Sequence, residues 1–273
     1  MSKKIGIIAG KGQFPLLCAR AAHHRGMEVV AVAHRDETDP SLADEVDEIH
    51  WVYVGQLGKI IRIFKSAGVR QALLAGGITR GRLFKHFRPD LRALGLIRRV
   101  GAGHDDRLLR AVAQELEGEG ITIEPATIFL EELMAPAGPL GRHRPSSDQL
   151  KDIDYGFHMA KEVGRLDIGQ CVVVRRQVVT ALEAVEGTDE TIRRGGRLAG
   201  EGAVVVKVCK PGQDLRFDLP AVGANTIEVM QEVGAKVLAV ESGKTLIFDR
   251  QDMVSLADRA GIIIWGVEGR EEG

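Results

Sequence analysis

The sequence is poor in aromatic residues, because only 4% of its 273 positions are Phe, Trp or Tyr. So few rings argue against a surface that stacks the bases of single-stranded nucleic acid. The formal net charge of -1 gives no electrostatic case for non-specific binding to nucleic acid either. No nucleic-acid partner is therefore expected.

Cysteine and long apolar runs are scarce as well. The three cysteines, Cys18, Cys171 and Cys209, lie far apart and lack the spacing of a metal site or a disulfide framework. We therefore expect a reducing cytoplasm, with each thiol acting as a small core residue rather than as a nucleophile. No segment approaches the roughly eighteen apolar residues of a membrane-spanning helix, and the N-terminus lacks the apolar region of a signal peptide.

The length exceeds the usual size of one domain and predicts two. In the first half, short apolar strands alternate with amphipathic helices such as residues 57–67, which predicts an α/β fold with a Rossmann-like parallel sheet. Residues 133–146 hold three prolines and two glycines and predict a linker. The first domain is thus placed at residues 1–132 and a second, mixed α/β domain at residues 147–273.

A glycine-rich loop, Gly10-Lys11-Gly12-Gln13-Phe14-Pro15, follows the first predicted strand. A strand, a glycine loop and a helix N-terminus together receive phosphate groups, because backbone N–H groups converge there. Gly10 and Gly12 match the first two glycines of the dinucleotide-binding fingerprint, but Pro15 stands in place of the third. Two interpretations remain open, a nucleotide site and a tight turn without a ligand.

Two other predicted strands end near this loop. One ends at residues 34–36, where His34 or Asp36 could contact a nucleoside or simply be solvated. The other ends at Gly76 and Gly77. Because the carboxyl ends of parallel strands meet at one edge of a sheet, both glycines are expected beside Gly10 and Gly12.

The stretch 207–226 concentrates the charged side chains of the second half. Leu215 and Phe217 alternate with Arg216 and Asp218, which predicts a strand with Arg216 and Asp218 on one face. Cations and a carboxylate on one face suit a phosphate group with a divalent metal. The competing interpretation is a surface strand with a solvated ion pair. The phosphate clamps proposed on this basis are Lys207, Lys210 and Arg216.

Thr188 follows Glu186-Gly187 at a predicted strand-to-helix junction. It is expected to cap that helix, and the same position would offer a hydroxyl or an N–H group to a phosphate. Asp189 and Asp214 are candidates for further metal contacts, since carboxylate oxygens suit a hard cation.

Residues 83–100 form the one stretch that is locally both basic and apolar. Such a stretch could lie against an anionic membrane or a lipid-linked substrate. A solvated face or a contact with a partner subunit would produce the same pattern.

Three motifs together resemble the UDP-2,3-diacylglucosamine pyrophosphatase family of lipid A biosynthesis, in the form unrelated to the calcineurin-like enzyme. The resemblance covers nearly the whole chain, and the last motif is long and specific. The motifs are Gly10-x-Gly12-x-Phe14-Pro15, Glu186-Gly187-Thr188-Asp189 and Lys210-Pro211-Gly212-Gln213-Asp214-x-Arg216-Phe217-Asp218-x-Pro220.

The resemblance implies a Mg²⁺-dependent hydrolase that gives UMP and 2,3-diacylglucosamine 1-phosphate, with the ligand held between two domains. It also implies a homodimer in the cytoplasm of a Gram-negative bacterium, in peripheral contact with the inner membrane. The essential aspartate of the family falls on Asp218, and its N-terminal ligand loop falls on residues 12–15. One departure is the absence of a lysine after Gly76-Gly77, which puts a phosphate role of that loop in doubt.

Resemblance and residue chemistry together give a set of expected site residues. Asp218, Asp214 and Arg216 are expected to be catalytic, and Asp218 and Asp189 to bind the metal. Substrate contacts are expected from Gly10, Gly12, Gln13, Phe14, Pro15, Gly76, Thr188, Lys207, Lys210, Gln213 and Thr226.

Two other functions stay open at this point. The glycine loop alone would allow a nicotinamide-nucleotide oxidoreductase, although Pro15 counts against it. The chain could also be a non-catalytic sensor of a nucleotide sugar or lipid, in which Asp218 would be structural.

Overall fold

The computed structural model describes residues 3–78, 87–100, 105–217 and 219–269. The chain forms two compact units. One comprises Met1–Glu131 with Asp214–Asp218, and the other comprises Glu132–Gln213 with Leu219–Gly273. The first contains a five-stranded parallel sheet and the second a six-stranded mixed sheet, so the predicted α/β fold class is confirmed.

The sheet of the first unit has the strand order of a Rossmann fold, β3-β2-β1-β4-β5. The order reverses between β1 and β4, where such sheets bind ligands at the carboxyl ends of the strands. The strands are β1 (Lys4–Ala9), β2 (Glu28–His34), β3 (Glu48–Val52), β4 (Gln71–Ala75) and β5 (Thr122–Ile123), and the helices are α1 (Phe14–His24), α2 (Leu57–Ala67), α3 (Leu91–Val100) and α4 (Asp105–Gly118).

Helix α2 shows how local sequence sets the boundaries of this unit. Its buried residues Ile60, Ile61 and Phe64 recur at helical spacing and pack into the core. Gly68 ends the helix in the left-handed conformation with a φ of 76°, which costs glycine little. The predicted span of residues 57–67 is confirmed.

The second unit is built on a sheet with the order β6-β13-β11-β9-β7-β8, in which β9, β11 and β13 are parallel. A separate parallel pair joins β10 to β12. The strands are β6 (Gly138–Pro139), β7 (Cys171–Arg175), β8 (Val178–Leu182), β9 (Val204–Lys207), β10 (Ala221–Val222), β11 (Val237–Glu241), β12 (Leu246–Ile247) and β13 (Ile263–Val267), and the helices are α5 (Ser147–Arg165), α6 (Thr188–Ala199), α7 (Ala224–Glu232) and α8 (Arg250–Ala260).

Alternate residues of each strand in this sheet enter two different cores. Val204 and Val206 pack with residues of α5 on one face, and Val205 packs with residues of α6, α7 and α8 on the other. Glycine residues allow the helices to approach the sheet closely. A Cβ on Gly195 of α6 would lie 2.5 Å from the Cβ of Val173.

Polar contacts fix the start of α5. Ser146 caps the helix in a capping box with Gln149. One turn later, the buried carboxylate of Asp152 accepts hydrogen bonds from the backbone N–H groups of Arg176 and Gln177. These two residues form the turn between β7 and β8 with positive φ, so Asp152 ties that hairpin to α5.

The predicted linker, residues 133–146, is part of the second unit in the structure. Gly138–Pro139 pairs with β13 as an edge strand, and Leu140 is buried. Within the described ranges, no helix is both long and apolar enough to cross a bilayer.

Gly195→Ala is expected to lower the free energy of unfolding by about 1–3 kcal/mol, because the added methyl group overfills the contact with Val173. Gly95→Ala is the matched control, since a Cβ at Gly95 in helix α3 meets no atom within 4 Å. That change should instead stabilise by about 0.5–1 kcal/mol through helix propensity. Urea unfolding of both variants tests this, and equal stabilisation by both would contradict the packing assignment.

Candidate functional site

In the first unit, the glycine loop lies directly against the end of β4. The N–H of Lys11 donates to the carbonyl oxygen of Gly77 at 2.7 Å, and Gly10 donates to Ala75 at 2.8 Å. A Cβ on Gly10 would lie 2.4 Å from the Gly77 oxygen, and one on Gly76 would lie 2.5 Å from the Lys11 oxygen. Close approach of the two loops therefore suffices to explain why Gly10 and Gly76 are glycines.

The other residues of this loop lead into α1. Gly12 is exposed, has a φ of 95° and faces open space. Gln13 occupies the N-cap position without a capping hydrogen bond from its side chain, and Phe14 begins the helix. Pro15 is buried in the first turn and has no N–H group to offer.

His34 lies at the end of β2, beside this loop, and is buried. Its Nδ1 is 2.9 Å from the carbonyl oxygen of Ala9, so Nδ1 must carry the proton and donate. The hydroxyl of Thr38 donates to the same oxygen at 2.6 Å. Burial lowers the pKa of His34, which holds the imidazole neutral. The side chain thus ties β2 to the end of β1.

The predicted strand through Leu215 and Phe217 is wrong, because these residues form a turn. The carboxylate of Asp214 accepts the N–H of Arg216 at 3.1 Å, and the N–H of Phe217 bonds the carbonyl of Asp214 at 3.2 Å. Such local bonds from an aspartate compete with strand pairing and favour a turn.

Two of the expected phosphate clamps carry ion pairs in the structure. The guanidinium of Arg216 contacts the carboxylate of Asp214 at 2.8 Å and that of Glu117 at 2.8 Å. The pairing with Arg216 holds the pKa of Asp214 below its usual range. Lys210 pairs with Asp167 at 2.7 Å, and its N–H donates to Oε1 of Gln213 at 2.8 Å.

A buried ion pair fixes the start of this loop, and it was not predicted. Oε2 of Glu241, at the end of β11, accepts from Nζ of Lys161 at 2.6 Å and from the N–H of Cys209 at 2.9 Å. Lys161 also donates to the carbonyl oxygen of Cys209 at 2.8 Å. Both backbone groups of Cys209 are therefore held where the chain leaves β9. The sequence signal was only a glutamate ending an apolar strand, and its partner lies 80 positions away.

Four expected site residues come together in a cleft of the second unit with a volume of about 340 Å³. It lies at the edge of the sheet where β9 ends, between the starts of α6 and α7. The four are Thr188, Asp189, Lys207 and Thr226, and the lining is completed by Glu186, Gly187 and Ala221.

The cleft brings positive groups together with two carboxylates, Glu186 and Asp189. Lys207 is buried, and its ammonium donates to the carbonyl oxygen of Ala221 at 2.9 Å. Helices α6 and α7 both begin here with glycine N-caps, Gly187 and Gly223, which have no side chain to cap the first N–H groups. The lysine and the two helix N-termini would stabilise a phosphate, and the carboxylates of Glu186 and Asp189 on the same lining would require a cation between them and that phosphate.

Thr188 is not the N-cap that the sequence predicts. Gly187 is the N-cap and Thr188 is the first helical residue. The hydroxyl of Thr188 donates to Oε1 of Glu183 at 2.9 Å, so its proton is committed and a phosphate would be offered its backbone N–H. No local sequence pattern marks Glu183, which is buried and also accepts from the N–H of Gln170 at 3.2 Å.

Cys171 stands beside this cleft but has no nucleophilic character. Burial raises the pKa of its thiol to about 12, and the charge of Glu183 adds to the effect. Burial also raises the pKa of the Cys18 thiol to about 12, as expected for an unreactive thiol in a core.

The cleft could supply part of the ligand set of a magnesium ion, with substrate oxygens and water supplying the rest. No three His, Cys, Asp or Glu side chains in the described part of the chain cluster closely enough to hold a metal by themselves. Mg²⁺ is usually held by one or two carboxylates together with substrate phosphates and water. Asp189, which accepts from Asn225 at 2.8 Å through Oδ2, could supply such a carboxylate. Asp218 lies outside the described residues.

Comparison with known proteins gives a consistent match across both units. Residues 4–133 match the LpxI N-terminal domain, and residues 136–265 match the LpxI C-terminal domain. A protein of Caulobacter vibrioides, named UDP-2,3-diacylglucosamine pyrophosphatase LpxI, is 36% identical over 98% of this chain and 99% of its own length.

Likeness to solved structures is weak. The biotin carboxylase domain of 2-oxoglutarate carboxylase from Hydrogenobacter thermophilus is 19% identical with a TM-score of 0.28, and the match covers 65% of this chain and 36% of that one. The biotin carboxylase subunit of pyruvate carboxylase is 16% identical with a TM-score of 0.27, over 73% and 42% of the two chains. The chain thus spans less than half the length of these proteins, and no functional argument rests on them.

Glu241→Gln is expected to destabilise the protein by about 3–5 kcal/mol, because it leaves the buried ammonium of Lys161 without a counter-charge. The double change Lys161→Met with Glu241→Gln removes both charges, keeps a side-chain oxygen for the N–H of Cys209 and should recover most of this loss. Glu162→Gln is the control, since its ion pair with Arg165 is exposed. Denaturant unfolding measures all three, and a neutral effect of Glu241→Gln would show that the pair is not stabilising the loop.

The buried His34 predicts a pH dependence of stability. Because its pKa is lowered in the folded state, the unfolded chain binds the proton more tightly, and stability falls as the pH drops below about 6.5. His34→Asn should flatten the free energy of unfolding between about pH 6.5 and pH 5. Unfolding measured across this range checks the sign, and an unchanged slope in the variant would contradict it.

Proposed function

Because the chain belongs to the LpxI family, we propose that it hydrolyses the pyrophosphate bond of UDP-2,3-diacylglucosamine. The observation that carries this proposal is the 36% identity to the named pyrophosphatase over 98% of this chain and 99% of the relative. Cleavage of that bond gives UMP and 2,3-diacylglucosamine 1-phosphate, a step of lipid A biosynthesis. The chemistry of the second-unit cleft supports the same reaction class.

Cleaving a pyrophosphate requires neutralisation of negative charge on phosphoryl oxygens. Lys207 supplies a cation that is buried, so solvent screens its charge less than that of a surface lysine. The N-termini of α6 and α7 supply backbone N–H groups at fixed positions. We assign these groups to the phosphate of the substrate, with the N–H of Thr188 as one donor.

Positioning of the cleft comes from residues that do not touch the substrate themselves. Glu183 holds the hydroxyl of Thr188, and Asn225 holds the carboxylate of Asp189. Lys161 and Glu241 hold the backbone of Cys209 where the chain leaves β9. In this proposal Asp214 keeps Arg216 in place, and Arg216 is available to phosphate only if it leaves its two carboxylate partners.

The remaining assignments follow the family. We propose Mg²⁺ as the cofactor, held by Asp189 and Asp218 together with substrate oxygens, where it would withdraw charge from the phosphoryl group. Gly12, Gln13, Phe14 and Pro15 are proposed to contact the nucleotide. A homodimer in the cytoplasm, in peripheral contact with the inner membrane of a Gram-negative bacterium, completes the proposal.

A nicotinamide-nucleotide oxidoreductase is not favoured. Pro15 replaces the third glycine of the fingerprint and is buried in the first turn of α1. A sensor without turnover is separated from the enzyme by the assay below.

The direct test is hydrolysis of UDP-2,3-diacylglucosamine by the purified protein, with Mg²⁺ or with EDTA, in water enriched in oxygen-18. We expect UMP only when Mg²⁺ is present, and the labelled product identifies the phosphorus that water attacks. Asp218→Ala should abolish turnover while ligand binding remains. Binding of the substrate by the wild-type protein without any turnover would favour the sensor and overturn the proposal.

Lys207→Met is expected to lower kcat/KM about 100-fold, the usual effect of removing one charge-stabilising donor. Lys151→Met is the matched control, because Lys151 is an exposed lysine of the same unit. Steady-state kinetics measures both, and thermal unfolding shows whether each variant stays folded. Activity of a folded Lys207→Met protein within twofold of wild type would remove Lys207 from the site.

A further inference from the structure

Helix α3 presents an apolar and basic stripe to solvent. Its buried side consists of Ala93 and Leu96. On the opposite side Leu91 is 89% exposed and Leu94 is 45% exposed, and Arg98 is exposed one turn further on. Positions i, i+3 and i+7 lie on one face of a helix, so the three side chains form a continuous stripe.

The stripe itself carries one charge, and that charge is positive. Helix α3 contains three arginines and no acidic residue. Arg92 and Arg99 form ion pairs with Glu119 and Glu115, which neutralise them. Arg98 has no ion pair with any residue in the described part of the chain, so the outward stripe combines two exposed leucines with an unneutralised cation.

We propose that this stripe, Leu91, Leu94 and Arg98, docks the protein on an anionic lipid bilayer. The inference rests on the proposed function, since a diacylated substrate resides in a bilayer. Leucines that enter the boundary between head groups and acyl chains bury apolar area, and a neighbouring arginine is attracted to anionic head groups. A patch this small gives weak and reversible binding, which suits an enzyme that must leave the surface again.

Sedimentation with lipid vesicles tests the proposal without any nucleotide sugar. Vesicles of phosphatidylcholine with phosphatidylglycerol should bind the wild-type protein, and vesicles of phosphatidylcholine alone should bind it at least about tenfold more weakly. The double change Leu91→Glu with Leu94→Glu should weaken binding to the anionic vesicles by at least about tenfold. Arg98→Glu should weaken it by about tenfold at low salt, and the effect should shrink as salt is raised.

Leu198→Glu is the matched control, because Leu198 is a 70% exposed leucine next to an arginine on a different helix, α6. It should bind vesicles like the wild type. Equal binding of the double variant and the wild type would overturn the proposal, and so would equal binding to neutral and anionic vesicles. A wild-type dimer that becomes a monomer in the double variant would assign the stripe to contact between copies and would also overturn it.

A detergent-dispersed substrate separates this proposal from the proposed function. The double variant should hydrolyse dispersed substrate at the wild-type rate, because none of its changes lies in the cleft. If no protein hydrolyses the substrate but vesicle binding depends on the stripe, the docking surface stands and the hydrolase assignment fails. If the protein hydrolyses the substrate but vesicle binding does not depend on the stripe, the hydrolase assignment stands and the docking surface fails.

Discussion

The parallel pairing of β9 with β11 is the constraint on which the second unit depends. The register places Lys207 opposite Val240, so that Lys207 and Glu241 reach the same edge of the sheet. Because side chains alternate between faces, Lys207 follows Val205 towards α6 and α7, whereas Glu241 follows Ala239 towards α5. Lys207 therefore lies in the cleft, whereas Glu241 pairs with Lys161 on the opposite face of the sheet. A slip of β11 by one residue would turn Glu241 to the face that carries Lys207.

The first unit is organised by a closer contact, that of one loop backbone with another. Gly10 and Gly76 allow the loops after β1 and β4 to bond each other at the point where the strand order reverses. This contact leaves Gly12 and Gln13 exposed at the start of α1. The close contact between the two loops accounts for Gly10 and Gly76 without any ligand.

Local sequence was sufficient to predict the elements whose ends are set by nearby residues. The predicted span of α2 matches the structure because Gly68 ends the helix in the left-handed conformation. The strand predicted through Arg216 failed because the alternation of polar and apolar residues does not reveal that the Asp214 carboxylate accepts the backbone N–H of Arg216. Glu183 and Glu241 were missed for a different reason. Their roles depend on residues brought near by the fold, and no local pattern marks them.

The chain enters the first unit twice, since residues 214–218 belong to it although the segments on both sides belong to the second. Phe217 packs against the core of the first unit, and Arg216 pairs with Glu117 of α4. During synthesis the first unit therefore lacks part of its packing until Arg216, which follows Glu117 of α4 by 99 positions, has left the ribosome. This delay is roughly 5–20 seconds of elongation. The first unit therefore completes its packing only after most of the second unit has been synthesised.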